Sequence, residues 1–317
     1  MTEARQLRVA QMTWEAEGVL SVRLADPAGA PLPGWEPGAH LALHLPGGNI
    51  REFSLCSDPN DLTGWTVAVL REPSSRGGSA YVHLQLRVGD LVSVDGPRNN
   101  FRLEDAPRYQ LIAGGIGITP ILAMARELES RGADWSMLYA GRSGQTMAFV
   151  DELRCLAPGR VRIHADDSAG GPPALSEVLE DNDTRTLVYC CGPEPLITGV
   201  EQALTDPQML RIERFKAPEP IAPPAGGDQP FDIICAGSGA RVHVPVDTTA
   251  LAALEDAGCD VPSSCTEGIC GTCETKVLAG TVDHRDFLLS DSEKEAGDTM
   301  FICVSRALTA ELTLDIS

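Results

Sequence analysis

Ser263 to Cys273 reads SSCTEGICGTC, and together with Cys303, thirty positions beyond its last cysteine, it decides the fold of the C-terminal part of the chain. Cys265, Cys270 and Cys273 are spaced CxxxxCxxC. With the solitary Cys303 they form the spacing by which four thiolates hold a plant-type two-iron two-sulfur (2Fe-2S) cluster. Gly268 and Gly271 let the backbone curl around a bulky inorganic core. They also leave amide N–H groups free to point at sulfur, and such hydrogen bonds help to set a cluster's reduction potential. Structural zinc sites usually pair their cysteines as two CxxC units, so a four-residue first gap and a lone last ligand speak against zinc. A pair of disulfides does not fit well either.

The other six cysteines, Cys56, Cys155, Cys190, Cys191, Cys235 and Cys259, form no second set and read as free thiols of a reducing compartment. The N-terminus MTEARQLRVAQMTW has no apolar core of a secretory signal, and no run of 18 apolar residues occurs, so a soluble cytoplasmic protein is expected. A formal net charge of −20 argues against nucleic acid or an anionic membrane as partner, because both select basic faces. Residues 231–317 hold 15 Asp and Glu against 5 Lys and Arg, a net −10 that points to docking on a basic protein face or simply to a soluble surface.

Moving towards the N-terminus, Ala217 to Pro230 (APEPIAPPAGGDQP) crowds prolines and glycines between two apolar-patterned regions and reads as a semi-rigid linker. After it comes the strand-like run FDIIC. Residues 1–105 offer short strands such as VLSVRLA, HLALHL and WTVAVLRE between Pro and Gly turns, the pattern of an antiparallel β-barrel or sandwich. From about Arg108 apolar strands alternate with helices (YQLIAGG, ITPILAMARELESRG, DWSMLYAGR, TLVYCCGP), which predicts an α/β parallel sheet. Four segments follow: a barrel over 1–105, an α/β domain over 106–217, a linker over 218–230 and a cluster domain over 231–317.

Chemistry-bearing motifs sit at the turns. Gly114, Gly115, Ile116, Gly117, Ile118, Thr119 and Pro120 follow directly on a strand, with Pro120 well placed to begin a helix, and such a turn exposes N–H groups where a pyrophosphate binds. Cys190, Cys191, Gly192 and Pro193 end a later strand, so the two turns could face one dinucleotide. In the first domain Arg51, Glu52, Phe53 and Ser54 end a turn or begin a strand, and Arg76, Gly77, Gly78 and Ser79 follow some residues later. A guanidinium fork and the Gly78 and Ser79 groups suit a phosphate.

With these motifs on the page, the whole chain resembles the phthalate dioxygenase reductase family, which joins an FMN-binding β-barrel, an NAD-binding α/β domain and a C-terminal β-grasp ferredoxin domain. The family's flavin motif RxYS is matched by Arg51 to Ser54 with Phe53 in place of tyrosine, which keeps the aromatic face and removes a hydroxyl. The resemblance implies that Arg51 and Ser79, with Arg76 and Gly78 beside them, hold the FMN phosphate, and that Ser54 bonds near the isoalloxazine N5. It further implies that Gly114, Gly115, Gly117 and Thr119 form the nucleotide loop. Cys191, followed by Gly192, would lie beside the nicotinamide. Ile212 to Phe215 is similar to the end-of-domain motif whose aromatic residue lies against the flavin; Phe215 is otherwise ordinary core. Ser54 and Cys191 are thus the expected catalytic positions, acting as positioners and not as acid or base.

At the adenosine ribose, Asp166 and Asp167 would repel a 2′-phosphate and accept bonds from free hydroxyls, which favours NADH, while nearby Arg142 keeps NADPH open. The expected activity is that of an NADH-dependent reductase: nicotinamide gives electrons in pairs, a 2Fe-2S centre accepts one at a time, and a flavin converts between them. Its acceptor would be a terminal oxygenase, of the Rieske non-haem iron type, with a haem monooxygenase as the alternative partner. A monomer is expected. Two further readings are a non-enzymatic iron–sulfur carrier or redox sensor, lacking flavin and NADH oxidation, and a direct flavin reductase, which leaves the cluster domain without a purpose.

Overall fold

The computed structural model describes residues 4–73, 77–180, 182–218 and 227–316. These fall into two units, Met1–Phe215 and Lys216–Ser317.

Six strands open the first unit: β1 (Arg5–Ala16), β2 (Val19–Ala25), β3 (Ala39–Leu45), β4 (Asn49–Ser54), β5 (Trp65–Leu70) and β6 (Leu91–Asn99). They pair antiparallel in the order β4-β3-β6-β1-β2-β5. The ends of that order meet, because Leu55 bridges Val67 and the Cys56 N–H donates to the Thr66 carbonyl at 2.9 Å. Closure turns the sheet into a barrel and removes its exposed edges. Val22, Leu24, Leu41, Leu43, Trp65 and Val67 fill the interior, and helix α1 (Gly78–Leu84) adds Val82. Arg51 to Ser54 thus lie at the end of β4 and do not begin a strand; strand continuity with β3 fixes them in register opposite His40 to Leu43.

The second sheet is parallel throughout: β7 (Arg108–Gly114), β8 (Asp134–Gly141), β9 (Val161–Ala165), β10 (Thr186–Cys191) and β11 (Leu210–Glu213) stand in the order β11-β10-β7-β8-β9. Helices α2 (Ile118–Ser130), α3 (Val150–Leu156), α4 (Asp166–Ala169), α5 (Leu175–Leu179) and α6 (Glu194–Ala203) link them. Both sheet faces are covered, and this is why runs such as YQLIA and TLVYCC are apolar without alternation. Leu111, Tyr139 and Tyr189 pack on Ile121 and Leu122 of α2, whereas Ile112, Leu138 and Val188 pack on Ile197 and Val200 of α6. Helix α2 begins at Ile118, two residues before the expected Pro120, which sits in the first turn where its missing N–H has no intrahelical acceptor anyway. Ala123 of α2 joins the barrel core, and the Arg126 guanidinium donates to the Cys56 carbonyl, so barrel and parallel sheet form one unit.

In the second unit β12 (Phe231–Cys235), β13 (Arg241–Val244), β14 (Glu274–Ala279), β15 (Val282–Asp283), β16 (Thr299–Phe301), β17 (Arg306–Ala307) and β18 (Glu311–Leu314) surround α7 (Ala250–Asp256), with α8 (Asp291–Ala296) outside. The mixed sheet runs β13-β12-β18-β14-β16, with β15 pairing β17 apart from it. Leu251 and Leu254 of α7 bury against Ile233, Leu312 and Leu314. Arg306 is the buried brace of this unit: its guanidinium lies 5.3 Å from the Phe231 ring centre and donates to the carbonyls of Thr248 at 2.6 Å and Pro245 at 2.9 Å. It also donates to Gln229 at 3.2 Å, tying down the residues just before β12. Most of the expected 218–230 linker lies outside the described residues. Among the described residues no helix is long and apolar enough to cross a membrane.

Candidate functional site

In the parallel sheet the chain order reverses between β7 and β10, and an open α/β sheet binds ligands outside the strand ends at such a switch point. Both turns singled out in the sequence stand there. Gly114 ends β7 and Cys191 ends β10, one register position apart, since Cys191 pairs with Ala113. The turns touch backbone to backbone: a Cβ on Gly117 would lie 2.2 Å from the Cys191 carbonyl oxygen, and one on Gly114 2.6 Å from Leu196 and 3.3 Å from the Gly192 Cα. Glycine is therefore required at these two positions by closeness, independently of any ligand. Gly115 has φ +53°, and the Thr119 hydroxyl is turned inward to the Ile116 carbonyl at 3.0 Å, so Thr119 braces the turn.

Cys191 is fully buried, and burial holds its thiol well above the usual cysteine range, so it is a neutral thiol at physiological pH. Its register partner on the other side is Glu213, the last residue of β11. Glu213 receives the Ser54 hydroxyl of the barrel at 3.3 Å, the contact that carries the site across both sheets of this unit. Burial pushes the Glu213 carboxyl up to about 8, the Ser54 bond pulling it down and Glu52 pushing it further up. A carboxyl that holds a proton near neutral pH beside a cysteine thiol and a serine hydroxyl is a place where a proton can be kept. Sequence reading passed Glu213 over, because a glutamate in a short terminal strand reads as surface. The signal was its place inside the motif Ile212, Glu213, Arg214, Phe215, where the resemblance gives it no role. Phe215 is 40% exposed, which removes the core reading.

On the barrel, Arg51 folds over the start of α1: a Cβ on Gly78 would stand 2.5 Å from the Arg51 Cγ. The Arg51 guanidinium donates to the Ile50 carbonyl at 2.6 Å and to Asn49 at 3.2 Å. Ser79 accepts the Glu72 N–H at 3.2 Å, and Phe53 is half-buried against the barrel core. Arg51, Gly78 and Ser79 are thus neighbours; Arg76 lies outside the described residues. At the far end of the strand-end row, Asp166 begins α4 with its Oδ1 buried and 3.5 Å from His164 Nε2, while Asp167 and Arg142 are exposed and joined through the Asp167 N–H to the Arg142 carbonyl at 3.1 Å.

The four-cysteine loop belongs to the second unit. Cys270, Cys273 and Cys303 are buried and Cys265 half-buried. The thiols of Cys270 and Cys303 donate to Cys265 and, with the Glu267 N–H at 3.3 Å, hold it down at about 2; the same contact, joined by Cys273, pushes Cys303 up. Gly268 (φ +72°) and Gly271 (φ +78°) take the left-handed conformation expected of a tight wrap, and a Cβ on Gly268 would meet Val304 at 2.7 Å. Among the described residues no group of three or more His, Cys, Asp or Glu stands ready for a single metal ion. Four thiols with an amide aimed at one sulfur fit a 2Fe-2S cluster, whose irons are spread over two positions.

Residues 233–308 match the family model of the 2Fe-2S iron-sulfur cluster binding domain, and residues 111–202 that of the oxidoreductase NAD-binding domain. The phenoxybenzoate dioxygenase subunit beta of Ectopseudomonas oleovorans is 43% identical over 315 residues, 98% of this chain and 97% of that one. A solved phthalate dioxygenase reductase, described as a modular structure for electron transfer from pyridine nucleotides to [2Fe-2S], superposes with a TM-score of 0.71 at 37% identity over 98% of both chains. A type IV self-sufficient cytochrome P450 monooxygenase superposes with a TM-score of 0.91 at 42% identity; the match covers 98% of this chain and 41% of that longer one.

A nucleotide crevice and a four-thiol cluster loop on one chain define an iron–sulfur oxidoreductase that draws on a nicotinamide nucleotide. Within that class, the chain belongs to the phthalate dioxygenase reductase family.

Proposed function

We propose that this chain is the NADH-dependent reductase component of an oxygenase system, delivering electrons through FMN and a 2Fe-2S cluster to a terminal oxygenase. The observation that carries the reading is the row Gly114, Cys191, Glu213 at the strand ends, joined to Ser54 of the barrel within one unit. When bound, the flavin supplies conversion of a hydride pair into single electrons. The chain's own residues position and exclude water: Cys191 offers a neutral, dry surface beside a nicotinamide, the Gly114–Gly117 N–H groups receive the pyrophosphate, and Arg51 with Ser79 receives the FMN phosphate. Phe215 offers an aromatic face to the flavin. Cys265, Cys270, Cys273 and Cys303 ligate the cluster. The segments 1–105, 106–217, 218–230 and 231–317 are the functional divisions we adopt.

A Rieske non-haem iron oxygenase is the partner we favour, supported by the dioxygenase name of the relative above. A haem monooxygenase is the second reading, favoured by the likeness to a self-sufficient cytochrome P450. Scattered free thiols support a cytoplasmic, reducing location, and we take the protein as a monomer. The test is an anaerobic absorbance titration with NADH and then NADPH, following flavin near ~450 nm and the cluster band at longer wavelength. Bleaching of both by NADH is expected. A protein that releases no flavin on heating and whose cluster neither nucleotide reduces overturns the reading in favour of a carrier.

A further inference from the structure

Two cysteines of the cluster unit take no part in holding the cluster, yet their sulfurs stand 4.0 Å apart. These are Cys235 and Cys259. Cys235 ends β12, is fully buried, and is locked by backbone bonds on both sides: its N–H donates to Ala240 at 2.9 Å and its carbonyl accepts Gly239 at 2.7 Å. Cys259 follows Gly258 (φ +80°) in the turn that closes α7, is half-buried, and is packed against the same core. Its N–H donates to Leu254 at 2.9 Å. Six positions further along the chain comes Cys265, the first expected cluster ligand.

One thiol is therefore held still inside the core and the other sits in a turn that solvent reaches. That is the asymmetry of a reactive and a resolving cysteine. A disulfide needs the sulfurs at about 2.05 Å, so they must approach by about 2 Å from their 4.0 Å separation. No other described side chain separates them, since each is the other's sulfur contact. The four cluster thiols are engaged with one another instead.

We propose that Cys235 and Cys259 form a reversible oxidation site, which hydrogen peroxide converts to a disulfide pinning the entry of the cluster loop to β12. The Cys259 sulfur attacks one peroxide oxygen, the O–O bond breaks, and hydroxide leaves and gains a proton, giving a sulfenic acid and water. The Cys235 sulfur then attacks the sulfenic sulfur, the S–O bond breaks, and a second water leaves with the Cys235 proton. Two thiols lose two electrons and one peroxide becomes two waters. A dithiol reductant restores both thiols by exchange. Closing this 24-residue separation constrains the unfolded chain, so the oxidised form unfolds at a higher temperature.

The test uses the full chain with its cluster loaded. It is treated with a few equivalents of hydrogen peroxide, trapped with iodoacetamide, digested and mapped by mass spectrometry. We expect a peptide pair joined through Cys235 and Cys259, lighter by two hydrogens, which dithiothreitol separates, while the visible cluster absorption persists. A melting temperature raised by a few degrees in the oxidised protein is expected, and C259S should show neither cross-link nor shift. Recovery of both residues as alkylated thiols overturns the proposal. So does finding disulfides only among Cys265, Cys270, Cys273 and Cys303 after the cluster colour is lost. The wild-type map decides the matter even where a variant fails to fold.

Discussion

The cluster loop and the strand-end crevice are two redox sites built in opposite ways. Three of the four cluster cysteines lie within nine consecutive residues, and local turns with Gly268 and Gly271 bring them together. The crevice draws Ser54, Gly114, Cys191 and Glu213 from positions up to 159 apart, and only sheet order makes them neighbours. A site made locally stands or falls with its own ligands. One made by topology depends on the packing of backbones that carry no chemistry at all. Substitutions in the two sites should consequently fail in different ways, and the failures can be separated because NADH-driven flavin bleaching and cluster reduction are distinct readouts.

The largest effect is expected at the local site. Cys270→Ser removes one of the four ligands proposed above, so reduction of a one-electron acceptor such as cytochrome c should fall to background, with the cluster absorption lost. Flavin bleaching by NADH should stay within about twofold, because that step belongs to the other unit. Equal loss of both activities would break the comparison. Next comes Gly117→Ala, where the added methyl would meet the Cys191 carbonyl at 2.2 Å and backbone cannot yield as a side-chain end does. Overpacking of this kind typically costs about 1–3 kcal/mol, and displacement of the crevice by even about 1 Å lowers rates by about 100-fold. NADH-dependent bleaching should slow by that order while the visible spectrum of the cluster stays unchanged.

A third prediction concerns proton storage. The folded pKa of Glu213, about 8, lies above its ordinary 4.5, so the folded protein holds a proton there that the unfolded chain has released. Stability from this group is therefore greatest at low pH, is lost as pH rises from about 4.5 to about 8, and is flat above that. A rise from 4.5 to about 8 amounts to a few kcal/mol. Urea midpoints of the first unit should fall between pH 6 and pH 8.5, and Glu213→Gln should flatten that fall by about 1 kcal/mol or more. A Gln variant with the wild-type slope would show that Glu213 is ionised throughout.

The same contrast explains what sequence could tell. Cysteine spacing announced the cluster loop because ligand identity, order and turn residues are all written within one stretch. The two glycine turns were legible as turns, since tight strand-to-helix reversals demand glycine, but their backbone contact is a property of the β7–β10 pairing. Glu213 was not legible. A lone glutamate gains its meaning only from burial between β10 and the barrel, and burial is decided by residues more than a hundred positions away. The joining of barrel and parallel sheet in one unit escaped notice for the same reason: Ala123 and Arg126 read as the ordinary faces of an amphipathic helix, yet one enters the barrel core and the other grips Cys56.

The smallest effect is expected at the ribose end of the crevice, where the argument rests on charge instead of packing. Asp167 is exposed, Asp166 is half-buried, and the Arg142 backbone is tied to Asp167 by one hydrogen bond. On the reading that this end receives the ribose, two carboxylates would oppose a 2′-phosphate by like charge, but solvent screens an exposed group, so each would contribute about 0.7 kcal/mol. Exchanging both for serine leaves Arg142 as the charged neighbour and should move the ratio of kcat/KM for NADH over NADPH by about tenfold, mostly through KM for NADPH. Asp166 also begins α4 and takes the Gly170 N–H on its carbonyl at 2.9 Å, an interaction that the exchange preserves because it belongs to the backbone. If the ratio stays fixed in the double variant while Arg142→Ala changes it, the guanidinium and not the carboxylates sets the preference. The crevice would then be tuned by one cation at its rim.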